Sequence, residues 1–505
     1  MYCKVKSGSV SEVSGVMTDV EVDVSGGLPY FSMVGLLSSE VKESGERVRT
    51  AIRNSGYFIN PARVTVSIMP ADVRKEGTGY DLPIAVGLLI ASGAVELTNE
   101  EYSFLENTII MGELGLDGSV NGINGVLPIL LEGKRNRYKN YIIPEENLDE
   151  SLMIEGINIY ITGNIDDTIM ILKGEKAAIS YRCASDVLDK QEADIDISTI
   201  IGNEAAKRAL LIAACGNHNV LLMGEPGAGK SMLAKSIRGI MPPLTSEEQL
   251  EIAAIHSVCG MFSKDILDNI PFRAPHHTVT LQAFTGGGRY PKPGEVTLAH
   301  RGILFMDEIP EFRREVIESL REPLEEKIIN VVRSNGNSKF PADFLFIAAM
   351  NNCRCGYFPD RNRCTCTDLE VAKYQSRISG PVMERIDLCV QVVKASIEQI
   401  NSNKRRQTSA ELQETVMRVR ELQEERFSEV SIKDNGHMNN EHIERFCNIT
   451  KGAKNILDKA YDSMKLSLRT YYKVIKVART IADIDSSSGI EESHIIEAIG
   501  YRIIN

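Results

Sequence analysis

The 505-residue sequence predicts a multidomain α/β protein, with an α+β N-terminal domain, an α/β core and an all-helical C-terminal domain. Three observations carry that prediction. An apolar run at 220–223 leads directly into GEPGAGKS at 224–231 and then into MLAKSIRGIM, where Leu233, Ile237 and Ile240 recur at helical spacing. Near the N-terminus Val20, Val22 and Val24 alternate with Asp19, Glu21 and Asp23, the period of a strand with one buried face. After Val393 the strand signals fade, and Thr408 with Glu411 forms a capping box ahead of the helical stripe Leu412, Val416, Val419 and Leu422.

At roughly 150 residues per domain the length accommodates about three domains. We place an N-terminal domain at 1–180, an acidic linker at 181–199, the core at 200–395 and the helical domain at 396–505. In the first domain VMTDVEVDVSGGLP reads as a hairpin or edge strand, and ARVTVSIMP and NTIIMGELG as further strands. SSEVKESGERVRTAIRNSG reads as an exposed helix and YDLPIAVGLLIASG as a buried one. The linker, SDVLDKQEADIDIS, is acidic and lacks a long apolar face. The last helices run through LSLRTYYKVIKVARTIADID and EESHIIEAIGYRI.

Composition narrows the class of partner. A formal charge of −12 excludes a globally basic surface, so any nucleic-acid contact must be concentrated in a groove or pore. No run of about 18 apolar residues occurs, and MYCKVKSGSVSEVSGV has no apolar signal segment, so we expect no membrane span and a cytoplasmic location. Ten cysteines are too few for a disulfide scaffold in a chain of this length, and four of them cluster.

The 224–231 stretch matches G-x-x-x-x-G-K-[ST], an order that nucleotide-phosphate binding demands. The loop Gly224, Glu225, Pro226, Gly227, Ala228, Gly229, Lys230, Ser231 and Met232 can wrap phosphate oxygens at the N-terminus of the helix that follows, with the backbone N–H of every residue but Pro226 available to donate. Lys230 is placed to reach the β- and γ-phosphates and the Ser231 hydroxyl to hold Mg²⁺. The apolar strand 303–306 ends in Asp307 and Glu308, an acidic pair suited to Mg²⁺ (Asp307) and to orienting and deprotonating the attacking water (Glu308). A third strand, FLFIAAM, ends at Asn351 and Asn352, where an amide can hold water beside the γ-phosphate.

The order of these motifs resembles that of the AAA+ ATPases, and more closely the magnesium-chelatase-like ComM/YifB family. FRAPHHTVTLQAFTGGG, PGEVTLAHRGILFMDE, AAMNNCRCG, SRISGPVMERIDL and LRTYYKVIKVARTIAD carry the likeness, which spans essentially the whole chain. The resemblance implies a homo-oligomeric ring, usually a hexamer, with ATP between subunits. It also implies that Asn351 is the sensor-1 residue, that Arg385 in MERIDL is an arginine finger, and that Arg469 in LSLRTYY is sensor 2, with Arg377 as a further contact. Where the family usually has Asn-Pro, this chain has Asn351-Asn352, which leaves the sensor open between the two. The N-terminal region resembles a Lon-protease-type domain, yet Gly79 stands at the nucleophile position and Leu127 at that of the Lys, implying a catalytically silent domain.

Cys353, Cys355, Cys364 and Cys366 form two C-x-C pairs on one short loop; a tetrahedral Zn²⁺ shell and reduced, redox-active thiols both suit this spacing. The adjacent His276 and His277 are poorly spaced for one metal and read as loop or packing residues. Two segments offer cations to a phosphate backbone: FTGGGRYPKPG with Arg289 and Lys292, and a hairpin in NVVRSNGNSKF with Arg333 and Lys339. The expectation is an ATP- and Mg²⁺-dependent ring that translocates on single-stranded or branched DNA, as the resemblance to branch-migration helicases of natural transformation implies. The rival expectation is a chelatase-type or protein-remodelling ATPase acting on a protein partner.

Overall fold

The computed structural model describes residues 1–179, 195–288, 291–333, 336–401 and 405–502. It divides into two compact units, Met1–Asp189 with Ser246–Asp268, and Lys190–Thr245 with Asn269–Asn505. Most of the acidic linker, and Arg289, lie outside the described residues. Residues 195–199, which the sequence reading leaves in the linker, belong to the second unit: Ile197 is fully buried, and Asp196 accepts from the Ser198 and Ser409 backbone N–H groups.

The first unit is built on a mixed sheet. Its strands are β1 (Tyr2–Ser11), β2 (Ser14–Ser25), β3 (Tyr30–Val34), β4 (Arg63–Met69), β5 (Thr108–Ile110), β8 (Asn140–Pro144) and β9 (Asn158–Thr162), in the order β3-β4-β2-β1-β5-β8-β9. The short β6 (Glu113–Leu114) and β7 (Val120–Asn121) pair separately. The alternation in β2 buries Val20 and Val22 completely. A hairpin with β1 forms as expected, but β2 also pairs with β4 and is therefore an interior strand, not an edge. Period-two patterning reports one buried face and is silent on the number of hydrogen-bonded neighbours.

The helix Ser39–Asn54 is likewise less exposed than its charge suggests, since Val41, Val48, Ala51 and Ile52 form a buried face. Every residue of Asp81–Ala91 is buried. Asp81 is tolerated there because Arg47 donates to both its carboxylate oxygens, at 2.7 and 3.0 Å, and the Leu114 N–H donates at 3.3 Å. Burial still holds its pKa above the usual carboxylate value. Leu127 is fully buried, and Gly79 is partly buried with Ile123 Cδ1 2.8 Å from where its Cβ would lie. Ser246–Val258, which the sequence reading leaves within the core at 200–395, instead buries Ala253 and Ala254 with Val126, Leu130 and Ile143, and Ser257 donates to Glu150 at 2.5 Å.

The second unit carries a parallel sheet of β10 (Val220–Gly224), β11 (Phe272–Arg273), β12 (Ile303–Met306), β15 (Leu345–Met350) and β16 (Leu388–Val392), in the order β11-β12-β15-β10-β16. The hairpin of β13 (Ile328–Arg333) and β14 (Gly336–Pro341) stands apart from this sheet. Helices Ser409–Arg426, Lys451–Ser463, Leu468–Ile484 and Glu492–Gly500 share one hydrophobic core with the sheet, through Leu412, Val416, Val419, Val474, Ile481 and Ile495. Thr408 and Glu411 form the expected capping box. Leu422 is exposed, so the apolar stripe of that helix is narrower than its sequence implies.

Candidate active site

Because the five strands of the second sheet run parallel, their C-terminal ends gather on one edge, the edge at which α/β folds place ligands. Three of those ends matter. β10 runs into the 224–231 loop, β12 into Asp307 and Glu308, and β15, which lies between them, into Asn351. The strand order therefore sets an amide between an acidic pair and a phosphate loop.

The loop is shaped by two glycines. Gly227 and Gly229 have φ of +75° and +95°, and the space beside each is open, so backbone conformation and not crowding requires glycine there. Gly224 answers to crowding instead, as a Cβ would meet the Val392 carbonyl oxygen at 2.1 Å. Gly229 precedes the helix Lys230–Ser236. Lys230 is largely buried and donates to the Gly224 and Glu225 carbonyls at 2.8 and 3.0 Å and to Asn351 Oδ1 at 2.9 Å. Burial lowers its pKa, and the negative charges of Asp307 and Glu308 oppose that shift.

Ser231 Oγ donates to Asp307 Oδ2 at 2.7 Å, which sets two hard oxygen donors side by side, the type Mg²⁺ takes. The other oxygen of Asp307 accepts from the Glu308 N–H at 3.0 Å. Glu308 has φ +50°, a left-handed conformation uncommon for a side chain of this size, and is exposed at the sheet edge. Asn352 faces elsewhere: its amide donates to the Phe358 carbonyl at 3.0 Å, so Asn351 is the one that meets Lys230. Met232 is about half exposed, and Glu225 pairs with Arg363 at 3.0 Å.

Arg385 and Arg469 share a carboxylate. Arg385 donates to the Arg321 and Pro381 carbonyls at 2.9 and 2.7 Å and to Glu325, and Arg469 pairs with the same Glu325 at 3.0 Å. The backbone before β16 is fixed by Asn219, which donates to the Arg385 carbonyl at 2.9 Å. Arg377 instead donates to the Pro310 carbonyl at 3.0 Å and pairs with Glu311 at 3.1 Å, on the segment that follows the acidic pair. Glu325 and Asn219 carry no motif and escape sequence reading, whereas an arginine between two C-x-C pairs, as Arg363 is, could have been noticed.

The four clustered cysteines bring their sulfurs within 4.8 Å of one another. His276 and His277 lie ring to ring at 4.0 Å; His276 is exposed and bonded to Thr278, and the His277 ring meets Phe312. Lys292 is exposed, its backbone paired with Gly287, and Lys339 is exposed on β14 opposite Asn330. Arg333 ends β13, paired with Gly336 across the turn. Among the described residues no helix is long and apolar enough to cross a membrane.

Comparison with known proteins covers nearly the whole chain. A family model described as magnesium chelatase, subunit ChlI, matches residues 196–400; one for subunit ChlI of Mg-chelatase matches 20–147, and one for the ChlI C-terminal region matches 406–502. The competence protein ComM of Haemophilus influenzae is 37% identical over 500 residues, covering 97% of this chain and 95% of its own. YifB of Escherichia coli is 38% identical over 488 residues, with 96% and 94% covered. An uncharacterized protein of Mycobacterium tuberculosis is 33% identical over 501 residues, with 98% and 97% covered.

Proposed function

The chain belongs to the magnesium-chelatase-like ComM/YifB family of AAA+ proteins, and from that premise we propose that it is a ring-forming ATPase that translocates on DNA. The observation that carries the ATPase reading is the pairing of Lys230 with Asn351 and of Ser231 with Asp307 across the ends of three parallel strands. The loop N–H groups and Lys230 bind the phosphates, and Glu308 accepts the proton of the attacking water while Asn351 orients it. Ser231 and Asp307 are the donors that would hold Mg²⁺, which when bound neutralises charge on the phosphate oxygens.

Arg385 and Arg469 complete the site from a neighbouring subunit of a hexameric ring, a guanidinium being suited to the charge that develops on the transferred phosphoryl group. The N-terminal unit is a Lon-like domain without proteolytic activity, a reading supported by Gly79, which has no side chain, and by Leu127, which is apolar and fully buried. DNA as substrate is supported by the likeness to a competence protein and by the exposed Lys292 and Lys339, which a ring would multiply; Arg289 and Arg333 belong to the same two segments. Branch migration during integration of incoming DNA is the activity this reading favours.

The test is the ATPase rate with and without single-stranded or branched DNA at low salt. Stimulation by DNA, weakened by added salt, is expected. Absence of both stimulation and binding would replace DNA with a protein partner, as in the chelatase-type or protein-remodelling reading.

A further inference from the structure

We propose that Cys353, Cys355, Cys364 and Cys366 hold one structural Zn²⁺, and that this ion braces the segment after Asn351 against the phosphate loop. The first argument is geometric. With Zn–S bonds of about 2.3 Å, a tetrahedral tetrathiolate site separates its sulfurs by about 3.8 Å. Here Cys353 Sγ lies 3.3 Å from Cys355 Sγ and 3.7 Å from Cys364 Sγ, Cys355 and Cys364 are 3.6 Å apart, and all four sulfurs fall within 4.8 Å. Those separations enclose one ion, and a cluster of several irons would hold the thiolates further apart. No pair is within disulfide distance, and all four are free thiols.

The backbone is folded for the same purpose. Gly356 takes φ +89° directly after the first C-x-C pair, its N–H donates to the Cys353 carbonyl at 3.0 Å, and the Phe358 N–H donates to Cys353 Sγ at 3.4 Å. On the other side the Cys364 N–H donates to the Asp360 carbonyl at 2.8 Å. Such N–H···S bonds delocalise thiolate charge. Four thiolates around Zn²⁺ carry a net charge of −2, and within 353–366 the residues Arg354, Arg361 and Arg363 against Asp360 supply +2. Arg361 reaches the Cys366 carbonyl at 3.1 Å and lies over the Phe358 ring.

The loop also touches the nucleotide site. Arg363 stacks on Tyr357 at 4.0 Å and pairs with Glu225 at 3.0 Å, and Gly356 sits so close to Pro226 that a Cβ would meet its ring at 2.5 Å. Glu225 and Pro226 belong to the phosphate loop, while Asn351 lies two residues before Cys353. A metal that closes this loop therefore fixes the sensor amide and one wall of the phosphate loop together; that consequence for ATP rests on the ATPase reading, the metal site itself does not.

The experiment measures metal in the full-length chain after dialysis against metal-free buffer, and then the visible spectrum after Co²⁺ exchange. One zinc per chain and sulfur-to-cobalt charge-transfer bands are expected, the bands being weakened in Cys364→Ser, which leaves three of the four thiolates. Should that variant fail to fold, the zinc content and cobalt spectrum of the unaltered protein still decide. A folded chain that carries no thiolate-bound metal, or carries iron, overturns the proposal. Arg363→Ala should keep its zinc while the KM for ATP rises by up to about fivefold, the limit for a partly exposed ion pair; an unchanged KM overturns the brace. Zinc bound without ATP turnover would sink the ATPase reading alone, and turnover without zinc the metal site alone.

Discussion

At the phosphate loop, Lys230, Ser231, Asp307 and Asn351 bond to one another across three parallel strand ends, whereas Arg385 and Arg469 meet at Glu325. Both are clusters of charge, but they differ in what completes them. The first is a set of side chains bonded to one another, to which the proposal gives phosphate and metal binding. The second is a pair of cations that share one half-exposed carboxylate, Arg385 being held by two backbone carbonyls as well, and among the described residues neither arginine is bonded to the first set. On the proposed reading these are two halves of a catalytic centre that a ring would bring together.

The sharpest way to break the comparison is to remove the second half. Arg385→Ala should lower kcat by about 10³-fold or more while ATP affinity changes little, as expected of an arginine that acts on the transition state. Steady-state turnover beside equilibrium nucleotide binding measures this, and a change in binding alone would make Arg385 a structural residue. Within the first half, Glu308→Gln should retain ATP binding and lose roughly 10²–10⁴-fold in hydrolysis, the usual contribution of a positioned base. Unchanged turnover would remove Glu308 from that role. Asn351→Ala should cost about 5–10-fold, the size of one neutral hydrogen bond, and Asn352→Ala should act on the stability of the cysteine loop instead.

An effect on stability, not on turnover, tests how the helical region carrying Arg469 is fastened to the sheet. His437 lies between Asp434 at 2.6 Å and Asp343 at 3.1 Å; Arg420 faces Asp434, and Arg301 and Lys327 face Asp343. The Asp434 charge, with the hydrogen bond that His437 donates to Asp343, raises the His437 pKa to about 9 against the effect of burial. A raised folded-state pKa means that its stabilisation is complete below the unfolded value near 6.5 and is lost as pH rises through about 9. We expect thermal stability to fall over that window by on the order of 1–3 kcal/mol, with a flatter profile in His437→Gln.

What was legible in the sequence follows the same division. The phosphate loop and the acidic pair could be read because each chemistry requires a fixed residue order next to a strand end; which of the two asparagines meets Lys230 could not, since it depends on where each side chain points in the fold. Glu325 could not, because it joins Arg385 across sixty residues with no local pattern to mark it. The strand alternation of β2 revealed its buried face but not its second neighbour β4, and the helical stripe through Leu422 overstated the buried arc. Ser246–Val258 was invisible as a member of the first unit, since an amphipathic helix does not declare which core it joins.

The central claim, that a working site needs the loop of one subunit and the arginines of another, is tested most directly by mixing two inactive chains. Arg385→Ala keeps an intact phosphate loop and Lys230→Ala keeps intact arginines. Alone, each should be nearly inactive; mixed under conditions that allow subunits to exchange, they should regain hydrolysis at the interfaces where an intact loop meets an intact arginine. A mixture that forms mixed rings yet stays as inactive as its components, or an Arg385→Ala chain that turns over at the unaltered rate, would contradict the account.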